Sequence, residues 1–118
     1  MRKLATLALL NVSLSFASAV DWPYFAGPDR LATSPETGLK LDFGPDGPPV
    51  LWSLDLNEGF GGAAVVGDEV FFVDRILGET DQLRCVSLKD GKDLWKFEFA
   101  HAGRLPHPGS RGVPTVEE

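Results

Sequence analysis

Apolar and polar residues alternate along several short stretches between residues 50 and 99, and turn residues separate these stretches. A period of two is the mark of a strand with one face buried. Leu51 to Leu56 alternates with Trp52, Leu54 and Leu56 on one face. Ala63 to Val66 reads as a short strand of small residues, and Val70 to Val73 is apolar on both faces, as expected of a strand with protein on either side. Leu83 to Leu88 forms a further strand, and Leu94 to Phe99 alternates again, with Trp95, Phe97 and Phe99 expected inward. Gly67-Asp68 reads as a two-residue hairpin turn and Asp90-Gly91 as a second turn. The chain is therefore expected to be all-β.

Two stretches repeat in the same order. Leu51-Trp52-Ser53-Leu54-Asp55-Leu56 matches Leu94-Trp95-Lys96-Phe97-Glu98-Phe99 position by position, 43 residues on, counting from Trp52 to Trp95. Gly59-Phe60-Gly61-Gly62-Ala63-Ala64-Val65-Val66 is echoed 50 residues later by Gly109-Ser110-Arg111-Gly112-Val113-Pro114-Thr115-Val116. Periods of about 40–50 residues belong to propeller blades. The pattern predicts a partial β-propeller: one four-stranded antiparallel blade over 63–99, flanking single strands, and the start of a next blade at 109–118.

Ahead of the strands, residues 20–49 hold Trp22-Pro23, Gly27-Pro28, Ser34-Pro35, Gly44-Pro45 and Gly47-Pro48-Pro49. Each proline removes a backbone donor and restrains its predecessor, so no regular period survives. An extended strap is expected, lying on the rest through Trp22, Tyr24, Phe25, Leu39, Leu41 and Phe43. Residues 1–19 have the form of a secretory signal: Arg2 and Lys3, an apolar run from Leu4 to Phe16, then Ala17-Ser18-Ala19. Cleavage after Ala19 and a secreted or periplasmic location follow as expectations. The apolar run is too short and too polar to cross ~30 Å of hydrocarbon.

Charge narrows the partners. Loss of residues 1–19 leaves nine basic against 17 acidic residues, a net charge of −8. That balance disfavours nucleic acid and anionic membrane surfaces, which need a basic footprint. Cys85 is the only cysteine, so no internal disulfide can form, and a buried small hydrophobe is its expected role.

Cys85-Val86-Ser87-Leu88-Lys89-Asp90-Gly91-Lys92-Asp93-Leu94-Trp95 resembles the tryptophan-docking motif of the quinoprotein-like (PQQ-like) β-propellers, Ala-x-Asp-x-x-Thr-Gly-Lys-x-x-Trp. Gly91, Lys92 and Trp95 match; Ser87 stands where Asp is usual and Asp90 where Thr is usual, which should weaken the side-chain clasp of the turn. The stretch Asp21 to Arg30 is also similar to the leader of exported members, with Ala26 in place of a frequent Arg. The WD40 dipeptides Gly-His and Trp-Asp do not occur. The resemblance implies that Trp95 docks on a neighbouring blade and that Trp52 is its counterpart in the adjoining sheet.

Candidate chemistry is thin. His101 and His107 are six residues apart in a loop, but their spacing fits no structural zinc pattern and no third ligand is near. Arg104, His107 and Arg111 are weak candidates for an anion-binding loop. Gly59-Phe60-Gly61-Gly62 lacks the Lys-Ser/Thr of a phosphate loop. Asp74-Arg75 reads as a surface turn pair, and Glu69, Glu79 and Asp81 as scattered turn acids. No catalytic, cofactor-binding or metal-binding residue is assigned.

Three functions are consistent with these features. The first is a non-catalytic segment of an exported propeller that serves as a scaffold or as a surface for a ligand or protein. Its partners are the remaining blades or a second copy, because a blade alone leaves its faces uncovered. The second, implied only by the resemblance, is a piece of a quinone-dependent alcohol or sugar oxidoreductase, with pyrroloquinoline quinone and calcium held by the full parent. The third is an autonomous β-domain that binds a partner through Trp22, Tyr24 and Phe25.

Overall fold

The computed structural model describes residues 19–76, 80–100 and 109–117. Residues 1–18 of the signal-like segment, Glu79, His101, Arg104 and His107 lie outside them. Four strands, β1 (Ala64–Val66), β2 (Glu69–Ile76), β3 (Thr80–Ser87) and β4 (Asp93–Ala100), pair antiparallel in the order β1-β2-β3-β4. The sheet is a blade-like meander that does not close on itself. The hairpins sit where the turn residues put them. Gly67 takes a φ of 55° between the paired residues Val66 and Glu69, and Gly91 takes 70° in the turn before β4. Both angles suit glycine because other residues carry a Cβ that crowds the backbone there.

β2 and β3 run longer than the apolar runs suggested. Arg75 lies opposite Asp81 and donates to it through Nε and Nη2, with the Nη2 bond at 3.0 Å. Gln82 lies opposite Glu98 and donates to it at 2.7 Å. Cross-strand polar pairs thus extend a ladder past the point where apolar alternation ends. Asp74 and Arg75 are accordingly strand residues rather than a surface turn pair, and Glu69 and Asp81 are strand residues as well.

Alternation divides the side chains between two faces. Ala64, Phe71 and Cys85 form a cluster on one, the cysteine face, with Val66 and Val116 against it. Trp95 lies on the same face opposite Cys85, its ring 6.0 Å from that of Phe71. Val70, Phe72 and Val86 form the other cluster, on the valine face, covered by Trp52, Leu54 and Val65. Residues 51–56 are not a paired strand; they cross this face as an unpaired extended segment, and Leu56 is exposed. Leu94 is the extra residue of a bulge, since Cys85 pairs with Trp95 and Val86 with Asp93.

The expected inward set on β4 is corrected. Trp95, Phe97 and Phe99 are 43%, 61% and 39% exposed, and all of β4 is open to solvent. They share a face, on which Val116 packs from outside the sheet at the β1 end, against the Ala64, Phe71 and Cys85 cluster.

The strap is attached at one point. Trp22 pairs antiparallel with Val65 through two backbone bonds of 2.7 and 3.0 Å, which adds a one-residue strand beyond β1. The Asp21 carboxylate accepts from Gly67 N at 2.8 Å, and the Pro23 carbonyl accepts from Val116 N at 3.0 Å. Trp22 and Tyr24 are half-buried, but Phe25, Leu39, Leu41 and Phe43 are exposed, so the strap does not lie on the sheet along its length.

Asp74 secures the far end of the crossing segment. It is buried on the valine face, accepts from Asn57 N and Nδ2 at 2.9 and 3.1 Å, and has Arg84 Nη1 at 3.6 Å. Removing it takes away the acceptor of both part-buried Asn57 donors and one of the two carboxylates beside Arg84, and hydrogen bonds to a charged group typically contribute about 1.5–3 kcal/mol. Asp74→Ala is therefore expected to lower unfolding stability by about that amount in urea titration, and Asp74→Asn by less.

Candidate docking site

Three of the four predicted docking residues meet at the β3–β4 turn. Ser87 N donates to the Lys92 carbonyl at 2.9 Å, and Gly91 N donates to the Ser87 carbonyl at 2.8 Å. Residues 88–92 thereby fold into a tight loop whose outer surface is the bare Cα of Gly91. The indole of Trp52 lies on that surface. A methyl group added at Gly91 would meet ring atoms of Trp52 at 2.8 and 2.9 Å, inside van der Waals contact. Trp52 Nε1 donates to the Leu88 carbonyl at 2.7 Å. One side chain thus covers the glycine and satisfies a turn carbonyl.

The polar side chains of the turn rebuild the clasp that the two motif departures were expected to weaken. Lys89 N donates to Ser87 Oγ at 3.2 Å, and Lys92 N donates to Asp90 Oδ1 at 3.4 Å. Lys92 Nζ pairs with Asp90 Oδ2 at 2.8 Å. Hydrogen bonds from Lys92 and then Ser87 hold the Asp90 carboxyl below the ordinary carboxylate range, and the Asp90 partnership raises Lys92. One strand on, Arg84 donates to Asp93 Oδ1 at 2.9 and 3.0 Å, and Lys96 Nζ pairs with Asp93 Oδ2 at 2.9 Å. The Lys96 bond, followed by Arg84, lowers Asp93 in the same way.

The structure therefore brings together Trp52, Gly91 and Lys92, three of the four predicted docking residues. Trp95, the fourth, stands on the cysteine face, away from this turn, and contacts Phe71. Arg111 is described and exposed; Arg104 and His107 are not described. Cys85 is buried in the first cluster, and burial followed by the nearby Glu69 charge pushes its thiol up, the opposite of a reactive cysteine. Asn57 and Arg84 were not singled out from sequence, and Asp74 was read as half of a surface turn pair. Their signal was parity: Asp74 falls on the same face as Val70 and Phe72, where a carboxylate needs partners.

The two glycine-rich segments meet as well. Gly59 and Ser110 form a parallel bridge, and the Ser110 carbonyl accepts from Phe60 N at 2.7 Å and Gly61 N at 3.2 Å. Gly61 packs on the Gly112 carbonyl with no room for a side chain, and Gly62 lies beside Val113. Residues 59–62 and 110–113 therefore run side by side, one residue out of their sequence alignment. Close backbone approach accounts for Gly61. Among the described residues no group of three or more His, Cys, Asp or Glu could hold a metal ion. No protein-family model, curated protein or solved structure matches the chain.

Gly91→Ala combines a left-handed backbone angle with a collision against the indole. A loss of roughly 1–3 kcal/mol is expected, together with a red shift of tryptophan emission as Trp52 leaves its seat; unchanged emission would contradict the seat. Acid should loosen the same region. Asp90 and Asp93 are more acidic folded than unfolded, so the unfolded chain takes up protons first as pH falls below about 4. Their stabilisation is complete at neutral pH and is lost as pH drops through the lower folded values. Urea midpoints measured from pH 6 to 2.5 should fall at the acid end, and less steeply for the Asp90→Asn/Asp93→Asn variant.

Proposed function

We propose that this chain is a non-catalytic repeat segment of an exported β-propeller of the quinoprotein-like kind, which serves as a scaffold or as a surface for a ligand or protein. The observation that carries the reading is the parallel placement of residues 59–62 beside 110–113. Repeats related by a small rotation bring equivalent segments alongside each other in the same direction, as inner strands of neighbouring blades do. Two further features support it. Trp52 is seated on the turn of the sheet that follows it, and Trp95, its repeat counterpart, stands on an open apolar face. The basic and apolar pattern of residues 2–19 supports export.

On this reading the cysteine face of β4 is where another sheet of the same kind packs, with Trp95 over that sheet's turn. Fusing a second copy of residues 50–117 behind the chain tests it. Hydrogen exchange of the indole N–H groups, read by NMR, should show Trp52 protected in both proteins. The Trp95 indole of the first repeat should exchange at least ten-fold more slowly in the fusion. Equal Trp95 rates in the two proteins would overturn the reading.

A further inference from the structure

β4 is an edge strand of eight residues that pairs only with β3 among the described residues, contains no proline, and is exposed throughout. An edge of this length offers a row of backbone donors and acceptors to another chain. Its side chains specify which chain. If two copies of β4 pair antiparallel about a two-fold axis through Phe97, Lys96 of each falls opposite Glu98 of the other. Trp95 then falls opposite Phe99, and Phe97 faces itself.

The alternatives are worse. Directly opposed residues must share a face, so the neighbouring registers are centred on Lys96 or on Glu98. The first sets Lys96 against Lys96, and the second sets Glu98 against Glu98. Like charges directly opposite are unfavourable, whereas opposite charges and aromatic pairs stabilise a ladder. Only the Phe97-centred register pairs both charges and all three aromatics. It is available because Lys96 and Glu98 share the valine face while Trp95, Phe97 and Phe99 share the cysteine face; the Phe97 and Phe99 rings are already stacked at 6.2 Å and 24°.

We infer that β4 is a self-recognition edge and that two copies of this chain join through it into a continuous eight-stranded antiparallel sheet. The bulge at Leu94 limits the paired stretch on one side, since regular pairing with β3 resumes only at Trp95. The inference concerns an edge rather than a face, so it stands apart from what covers Trp95 in the proposed function.

Charge reversal tests the register in the full chain. Sedimentation velocity should show a monomer–dimer equilibrium. Lys96→Glu and Glu98→Lys should each raise the dimer dissociation constant at least ten-fold, and the double reversal Lys96→Glu/Glu98→Lys should restore it. Circular dichroism confirms that each variant keeps its sheet. Phe97→Cys should cross-link to itself under mild oxidation, since opposed Cα atoms about 4.5–5.5 Å apart fall within disulfide range. Lys96→Cys should not, and buried Cys85 stays out of the reaction. A chain that remains monomeric or gives only polydisperse aggregates would overturn the inference. So would a dimer indifferent to both single reversals, or one that Phe97→Cys fails to trap.

Discussion

The seat of the Trp52 indole on the Gly91 turn is the contact on which the rest of the arrangement depends. A four-stranded meander made from these residues has two apolar faces, and among the described residues no helix covers either. The valine face is covered because residues 50–57 are drawn across it, and that segment has no backbone ladder of its own to hold it there. It is pinned at its two ends instead. Trp52 binds the turn at one end through ring contact and the Leu88 carbonyl, and Asn57 binds Asp74 at the other. Leu54 lies between the pins and packs on Val70, Phe72 and Val86 as a consequence.

The same logic explains why the open surfaces gather on β4. The opposite edge, β1, is closed by Trp22, and the cysteine face near β1 is covered by Val116. The strap contributes no more than this: Asp21 to Tyr24 close an edge, while the apolar residues further along remain in solvent. β4 has neither a strap nor a covering segment among the described residues. Its bulge at Leu94 and its Lys96 are devices that commonly discourage edge pairing, but Glu98 two residues on supplies the complementary charge. An edge that carries both signs in alternate order on one face excludes most partners and admits its own copy.

Much of this was legible in the residues. Period-two alternation located the sheet, and Gly67-Asp68 and Gly91 located its turns. The reading failed where tertiary contact overrides local pattern. Leu51 to Leu56 alternates as a strand does, but the structure uses that alternation to present Trp52 and Leu54 to a neighbouring face without pairing the backbone. The ends of β2 and β3 were missed because charged pairs such as Arg75 with Asp81 extend them, and such pairs show no apolar period. Asp74 was misplaced for a related reason. Next to Arg75 it resembles a surface pair, and only the parity counted back to Val70 places it inside.

Two indoles in this chain rest on glycines with positive φ. Trp22 covers Gly27 at φ 80° as Trp52 covers Gly91 at φ 70°, and in both cases an added Cβ would strike the ring, at 2.7 Å for Gly27 and 2.8 Å for Gly91. A flat ring gains most contact where no Cβ lifts it from the backbone, and a glycine turn offers that surface while keeping the chain compact. Trp95 has the same sequence setting as Trp52 but a different environment, against the edge of Phe71 with much of its ring in solvent. Its own turn cannot serve it, because the Gly91 surface is already filled by Trp52. The constraint that makes one tryptophan the pin of this sheet therefore leaves the other on the opposite, open face, beside Phe71.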